Sequence, residues 1–150
     1  MKNEHYYSWG ELDSDTRKLC HIASRSFKPD YIVGVSRGGI IPAIIISHFF
    51  DVPFISLSWS LRDHENKDVA LLHSIQRKMV FENKKILLID DIVDSGETLK
   101  QIHSILGKSD LILYTTLWFN ISQSNAAVDI FINHISRSKD DRWIMFPYEN

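Results

Sequence analysis

The sequence is poor in cysteine, lacks a long apolar run and carries no excess of positive charge, and each absence excludes a class of protein. Its 150 residues contain one cysteine, Cys20, so neither an intramolecular disulfide nor a zinc site built from several thiolates can form. No segment approaches the roughly 18 apolar residues of a membrane span. The N-terminus has no apolar run of signal-peptide length. We therefore expect a cytoplasmic protein with no membrane partner.

Charge and length indicate the kind of ligand and the number of domains. Lys and Arg number 17 and Asp and Glu number 19, so no net positive field is present to attract a nucleic-acid backbone. We expect a small charged ligand, and no nucleic acid, as the partner. With 150 residues, 44% of them hydrophobic, the chain suits one core of ordinary size. We expect residues 1–150 to form a single domain.

Short apolar runs alternate with helical patterns along the chain. The pattern predicts helices over 9–27, 40–50 and 97–106 and strands over 31–35, 53–59, 86–90, 111–119 and 128–132. The segments 61–78 and 136–150 show no clean period, and we expect a mobile excursion in the first and irregular structure in the second. The alternation predicts an α/β fold with a mainly parallel twisted sheet flanked by helices, because parallel neighbours need crossover connections.

The most informative stretch runs from 86 to 99. An apolar strand ends there in two adjacent carboxylates, Asp90 and Asp91, and a polar turn follows that opens a helix. The turn consists of Asp94, Ser95, Gly96, Glu97 and Thr98. Such a turn favours a phosphate, because unpaired backbone N–H groups and the positive end of the helix dipole face it. For the acidic pair alone, a strand end that meets water before a helix cap is an equally good interpretation.

A second polar turn follows the first strand. It consists of Ser36, Arg37, Gly38 and Gly39. Two glycines let backbone N–H groups approach an anion, and the guanidinium of Arg37 is a forked cation suited to phosphate. Taken alone, the turn is a weak signal, and a tight turn without function explains it as well. Ligands of parallel sheets bind beyond the carboxyl ends of the strands, where both polar turns fall.

The two turns and their spacing resemble the type I phosphoribosyltransferases, most closely the xanthine-guanine and hypoxanthine enzymes. The resemblance implies transfer of the 5-phosphoribosyl group from 5-phosphoribosyl 1-pyrophosphate (PRPP) to a purine nucleobase, with Mg²⁺ as cofactor and release of pyrophosphate. It implies that Asp90 and Asp91 bind ribose and Mg²⁺, that 94–98 bind the 5-phosphate and that 36–39 bind pyrophosphate. Asp94 is implied to act as general base or acid at N7 of a guanine-, xanthine- or hypoxanthine-like base. A homo-oligomer, dimer or tetramer, is implied as well.

The C-terminal segment 134–150 resembles the hood that covers the base in these enzymes, and we call it the hood. The resemblance implies that Trp143 stacks on the base, that the backbone at Ile144 meets the base edge and that Glu149 lies near Mg²⁺ or the base. A tail that packs one tryptophan into the core is the alternative. The charged segment 61–67 resembles the family's flexible loop, which closes over the substrate. Its alternative is a solvated loop without a role.

One departure from the family concerns recognition of the base. In 6-oxopurine enzymes a lysine at the end of the strand after the signature helix contacts the exocyclic oxygen. Here that strand ends in Phe119 and Asn120, with no lysine. Either Arg137, Lys139 or Arg142 replaces the lysine from the hood, or the enzyme is relaxed or altered in its choice of base.

Two other functions compete with an enzyme. A PRPP- or nucleotide-sensing regulator would keep a degenerate form of the site without the reaction, but such regulators usually need a nucleic-acid surface or an added domain. A response-regulator-like module would bind Mg²⁺ and accept a phosphoryl group at an acidic pair such as Asp90 and Asp91. That design has no use for the polar turn at 94–98.

Overall fold

A computed structural model describes residues 3–61, 66–122 and 125–149 of the chain. The strands are β1 (Glu4–Tyr6), β2 (Tyr31–Ser36), β3 (Phe54–Ser58), β4 (Ile86–Val93), β5 (Ile112–Asn120), β6 (Ile130–Ile135) and β7 (Trp143–Met145). The helices are α1 (Trp9–Ser24), α2 (Ile40–Phe50), α3 (Val69–Glu82) and α4 (Glu97–Leu106), and a 3₁₀ turn covers Pro147–Glu149. None of the described helices combines the length and the apolar character needed to cross a membrane.

Within the described residues, five strands form one parallel sheet in the order β3-β2-β4-β5-β6. The register pairs Val33 of β2 with Leu88 of β4, so the carboxyl ends of these two strands emerge at the same edge. Helix α2 connects β2 to its neighbour β3 and α4 connects β4 to its neighbour β5, as crossovers between parallel strands require, whereas α3 leads from β3 to β4 across β2. The predicted α/β class, with a mainly parallel sheet flanked by helices, is confirmed.

The central strand β4 is buried on both faces, which explains its uninterrupted apolar sequence. Leu87 and Ile89 pack into the core formed with α1 and α2 on one face. Ile86 and Leu88 pack into the core formed with α3 and α4 on the other. Cys20 is fully buried in the first core, and burial raises the pKa of its thiol to about 11. The cysteine is therefore a small core residue.

The segment 61–78 differs from the mobile excursion that its sequence predicts, because residues from 69 onward form helix α3. The side chain of Asp68 caps this helix by accepting a hydrogen bond from a backbone N–H of its first turn. Leu72, Ile75 and Met79 are buried at helical spacing. The period is short, and the charged stretch at 61–68 that precedes the helix masks it in the sequence of this segment.

The C-terminal segment is also more regular than predicted. Strand β7 pairs with β1 in a two-stranded parallel sheet, with His5 opposite Ile144. Each strand has only three residues, too few to show a period in the sequence. Tyr7 anchors this small sheet, because its ring packs edge-on against Phe146 and its hydroxyl donates to Asp15 at 2.6 Å. The N-terminal strand thus holds the hood in place.

The predicted flexible loop at 61–67 lies mostly outside the described residues, which omit 62–65. Trp59 and Lys67 form an antiparallel bridge on either side of this gap. The backbone N–H of Ser60 donates to the carbonyl oxygen of Asn66 at 2.9 Å. The two ends of the loop segment therefore lie together just beyond β3.

Candidate active site at the carboxyl edge of the sheet

A cleft of about 720 Å³ lies at the edge of the sheet where β2 and β4 end. Because these strands are parallel neighbours, the polar turns that follow them meet at this cleft. The predicted site residues that line it are Ser36, Arg37, Gly38, Asp90, Asp91, Asp94, Ser95, Gly96, Glu97, Thr98, Trp143, Ile144 and Glu149. Three separate segments of the sequence therefore contribute to one site.

The turn after β4 has the form of an anion site. Gly96 has φ of 80°, in the left-handed region that favours glycine, and it leads the chain into α4. Its neighbour Ser95 accepts a long hydrogen bond from the backbone N–H of Glu97, at 3.3 Å. The first residues of α4 line the cleft, so the positive end of the helix dipole lies at its wall. This arrangement suits a phosphate group.

Two carboxylates, Asp90 and Asp91, lie side by side at the carboxyl end of β4. Burial, and after it the negative charge of Asp91, raises the pKa of Asp90 well above its usual range. Burial also raises the pKa of Asp91. The backbone N–H of Asp91 donates to Asp90 Oδ1 at 2.9 Å, and that of Ile92 donates to Asp91 Oδ1 at 2.7 Å. A bound cation would offset the repulsion between the two carboxylates.

Magnesium fits this donor set when a substrate completes its coordination. Within residues 3–61, 66–122 and 125–149, no group of three or more His, Cys, Asp or Glu side chains could hold a metal ion. Glu149 lines the same cleft, but its Oε2 accepts a hydrogen bond from the backbone N–H of Phe146 at 2.9 Å. Mg²⁺ usually takes one or two carboxylates from a protein and fills its other positions with water and substrate phosphates. The acidic pair meets that requirement.

The turn after β2 packs directly against the acidic pair. A Cβ atom on Gly38 would lie 1.9 Å from Asp91 Oδ2, so a larger residue would not fit here. The hood reaches the same point, since Tyr148 Oη lies 2.6 Å from Asp91 Oδ2 and 3.1 Å from the Gly38 carbonyl oxygen. Burial, and then the charge of Asp91, raises the pKa of Tyr148 far above its usual range. The hydroxyl therefore stays protonated and donates to the carboxylate.

Gly39 lies beneath this turn, away from the cleft wall. Its backbone N–H donates to the carbonyl oxygen of Val35 at 2.8 Å. A Cβ atom here would lie 2.4 Å from the carbonyl oxygen of Ile89. Gly39 thus lets the start of α2 approach the sheet closely. Its contact with pyrophosphate stays a prediction.

Asp94 joins a hydrogen-bond network with the hood. Arg137 donates to both of its carboxylate oxygens, with Nε 3.1 Å from Oδ1 and Nη2 3.1 Å from Oδ2. Asn120, fully buried at the end of β5, donates from Nδ2 to Asp94 Oδ1 at 3.1 Å. Asn120 Oδ1 accepts from the backbone N–H of Ser122 at 3.1 Å and of Arg137 at 3.3 Å. These bonds connect the turn after β4, the end of β5 and the hood.

Sequence reasoning assigned no role to Asn120 or to Tyr148, although both hold a predicted site residue. Their partners are distant in the chain, because 26 positions separate Asn120 from Asp94 and 57 separate Tyr148 from Asp91. The sequence feature that could have indicated a role for Asn120 is its position as a polar residue at the end of a long apolar strand, β5. For Tyr148, the feature that could have indicated a role is the resemblance of its segment to the family's hood.

Comparison with known proteins finds similar sequences and structures along most of the chain. Residues 3–146 match the family model described as a phosphoribosyl transferase domain. A xanthine-guanine phosphoribosyltransferase of Cereibacter sphaeroides is 27% identical, over 96% of this chain and 86% of that protein. A solved purine phosphoribosyltransferase from Pyrococcus horikoshii has a TM-score of 0.74 at 24% identity, covering 98% of this chain and 95% of that one. The xanthine-guanine-hypoxanthine enzyme of Helicobacter pylori has a TM-score of 0.66 at 21% identity, with coverages of 98% and 94%.

The hydrogen bond from Tyr148 to Asp91 predicts a measurable contribution to stability. We expect Tyr148→Phe to lower the free energy of unfolding by about 1–2 kcal/mol, because it removes a donor to a partly buried carboxylate. Urea denaturation followed by circular dichroism measures the change. Tyr6→Phe is the matched control, since the Tyr6 hydroxyl bonds to Glu4 at an exposed site. Its loss should stay within about 0.5 kcal/mol, and an equal loss in both variants would contradict the prediction.

Proposed function

Because the chain belongs to the phosphoribosyl transferase domain family, we propose that it transfers the 5-phosphoribosyl group of PRPP to a purine base and releases pyrophosphate. One observation carries the proposal. A single cleft joins an acidic pair, a turn suited to phosphate and a cationic glycine turn, with an aromatic residue of the hood in its wall. These are the groups that a ribose bearing a phosphate at one end and a diphosphate at the other would require. The relatives named as purine enzymes support the choice of acceptor.

In this proposal each part of PRPP has its own set of residues. Asp90 and Asp91 accept hydrogen bonds from the ribose hydroxyls, directly or through Mg²⁺. The turn at 94–98 holds the 5-phosphate, and the turn at 36–39 holds pyrophosphate. When bound, Mg²⁺ supplies positive charge to the diphosphate, held by Asp90 and Asp91 with Glu149 at the rim of the same cleft. Trp143 and the backbone at Ile144 hold the base.

The proposed reaction is a displacement at the anomeric carbon of ribose. The bond from this carbon to the pyrophosphate oxygen breaks, and its electron pair leaves with pyrophosphate. Nitrogen N9 of the purine forms the new bond, and the proton on N7 passes to the carboxylate of Asp94. The ribose becomes positively charged in the transition state, which nearby carboxylates stabilise. Arg137 and Asn120 orient Asp94 through the contacts described above.

The competing functions lack comparable support. No finding favours a PRPP- or nucleotide-sensing regulator with a degenerate site. The response-regulator interpretation is excluded by membership of the phosphoribosyl transferase domain family. A cytoplasmic location stays a prediction that rests on the single cysteine.

We also propose that residues 1–150 form a single domain in which 134–150 serve as the hood. The pairing of β1 with β7 supports this, because it ties the hood to the N-terminal part of the chain. We propose further that the protein is a homo-oligomer, dimer or tetramer. Exposed apolar side chains on the face of the sheet that carries α1 and α2, including Ile22, Ile44 and Phe49, support this assembly.

Binding of PRPP tests the proposed site directly. Isothermal titration calorimetry should show PRPP binding that depends on Mg²⁺, and the double variant Asp90→Asn, Asp91→Asn should bind at least about tenfold more weakly because charged acceptors are lost. Asp51→Asn with Asp110→Asn is the matched control, since it removes the same charge at two exposed positions. Unchanged affinity in the first double variant would end the assignment. Nucleotide formation from PRPP and a panel of free bases tests the reaction itself.

The role of Asp94 in proton transfer predicts an effect on turnover more than on binding. We expect Asp94→Asn to lower kcat by about 10²-fold or more, with the affinity for PRPP largely kept. Asp140→Asn is the control, because it breaks another arginine–aspartate pair of the hood, with Arg142, away from the cleft. If steady-state kinetics gave Asp94→Asn a kcat within about twofold of the unaltered enzyme, Asp94 would be a structural residue.

The proposed assembly predicts a mass above that of one chain, 17.4 kDa. Light scattering coupled to size-exclusion chromatography should show a dimer or tetramer, and Ile44→Glu should shift it toward the monomer by placing a charge in an apolar interface. Val80→Glu is the control on α3, where an exposed apolar residue lies on the other face of the sheet. A monomeric mass for the unaltered protein would contradict the proposal.

A further inference from the structure

The hood contributes one basic side chain to the cleft. Of the three candidates that the sequence suggests, Arg137 lines the cavity, whereas Lys139 and Arg142 do not. Lys139 is exposed to solvent. Arg142 is paired with Asp140, its Nη2 lying 2.6 Å from Asp140 Oδ2. Only Arg137 therefore stands where a purine in the cleft would meet it.

Arg137 is held rigidly, with its side chain 13% exposed. Its Nε and Nη2 each donate to Asp94, and its Nη1 donates to the carbonyl oxygen of Arg142. A guanidinium has five N–H groups, so two of them, on Nη1 and Nη2, have no hydrogen-bond partner among the described residues. The guanidinium carbon lies 6.0 Å from the centre of the Trp143 ring. The wall therefore presents a charged donor, a carboxylate acceptor and an aromatic ring side by side.

This set of groups complements one edge of a 6-oxopurine. The oxygen on C6 is an acceptor next to N7, and arginine is the side chain that most often reads this pair of atoms in nucleic acids. We propose that Arg137 is a specificity-determining residue that donates to the 6-oxo oxygen, while Asp94 accepts from N7–H of the free base. The inference rests on the proposed function for the identity of the ligand as a purine.

The same arrangement rejects adenine. Adenine has an amino group at C6, so its N–H would face the N–H groups of Arg137 with no acceptor between them. Discrimination of this kind is strong, because the mismatched ligand leaves a charged donor unpaired in a partly closed site.

Asn120 keeps Arg137 in this position. Its side-chain oxygen accepts a hydrogen bond from the backbone N–H of Arg137. Its amide nitrogen donates to the carboxylate of Asp94, which also accepts from the guanidinium of Arg137. Asn120 is fully buried and does not line the cleft, so it acts through its neighbours and does not contact the base. The residue at the end of β5 thus positions a cation that comes from the hood.

Calorimetric titration with purine nucleotides tests the inference without requiring turnover. The unaltered protein should bind inosine monophosphate at least about tenfold more tightly than adenosine monophosphate. Arg137→Met should weaken binding of the inosine nucleotide at least about tenfold more than it weakens binding of the adenosine nucleotide or of PRPP, because loss of the contact with Asp94 affects all three ligands alike. Arg137→Lys, which keeps the charge but not the fork, should give an intermediate ratio. Lys139→Met is the control in the same turn and should match the unaltered protein.

The outcomes separate this inference from the proposed function. If Arg137→Met weakened the binding of both nucleotides equally, Arg137 would only stabilise the hood, and the inference would be overturned. An unaltered protein that binds the adenosine nucleotide more tightly would overturn it as well. If Arg137→Met does not fold, an unchanged ratio in Arg137→Ala overturns it. Nucleotide synthesis from hypoxanthine with a preference independent of Arg137 would reject the inference alone. If the protein formed no nucleotide but its preference for the inosine nucleotide depended on Arg137, the proposed transferase activity would be rejected. The inference that Arg137 recognises the 6-oxo oxygen would then be supported.

Discussion

Two negative charges on consecutive residues at the end of a buried strand are the constraint around which the site is built. Asp90 and Asp91 repel each other, and burial in the cleft weakens their hydration. The protein partly offsets this with backbone N–H donors and with the hydroxyl of Tyr148. In the proposed function, Mg²⁺ bound together with the diphosphate of PRPP would supply the remaining positive charge.

Parallel pairing of β2 with β4 sets the rest of the geometry. Because the two strands run in register, the turns that follow them approach so closely that a side chain on Gly38 would overlap the carboxylate of Asp91. Small residues in the first turn are therefore a packing requirement as well as an opening for phosphate. The same adjacency explains why segments about 50 residues apart in sequence form one site.

Features that depend on neighbouring residues were predictable from the sequence, and those that depend on distant ones were not. The apolar run of β4 and helix α4 followed from period and composition, and α4 was placed at its observed bounds. Helix α3 was missed because its few buried positions follow a charged stretch at 61–68, which breaks the period of the segment. Tyr148 and Asn120 were missed because their contacts with Asp91 and Asp94 close only after the hood folds over the sheet.

Strand β7 of the hood pairs with β1 in a small two-stranded sheet, and neither strand belongs to the five-stranded sheet. Because of this separation, the turns after β2 and β4 and the segment that carries Trp143 belong to two different sheets. The strand after α4 ends in Phe119 and Asn120 with no lysine, and the guanidinium of Arg137, from the hood, lines the cleft beside Asp94. A change at Arg137 would nevertheless reach the turn after β4, because its guanidinium donates to both carboxylate oxygens of Asp94.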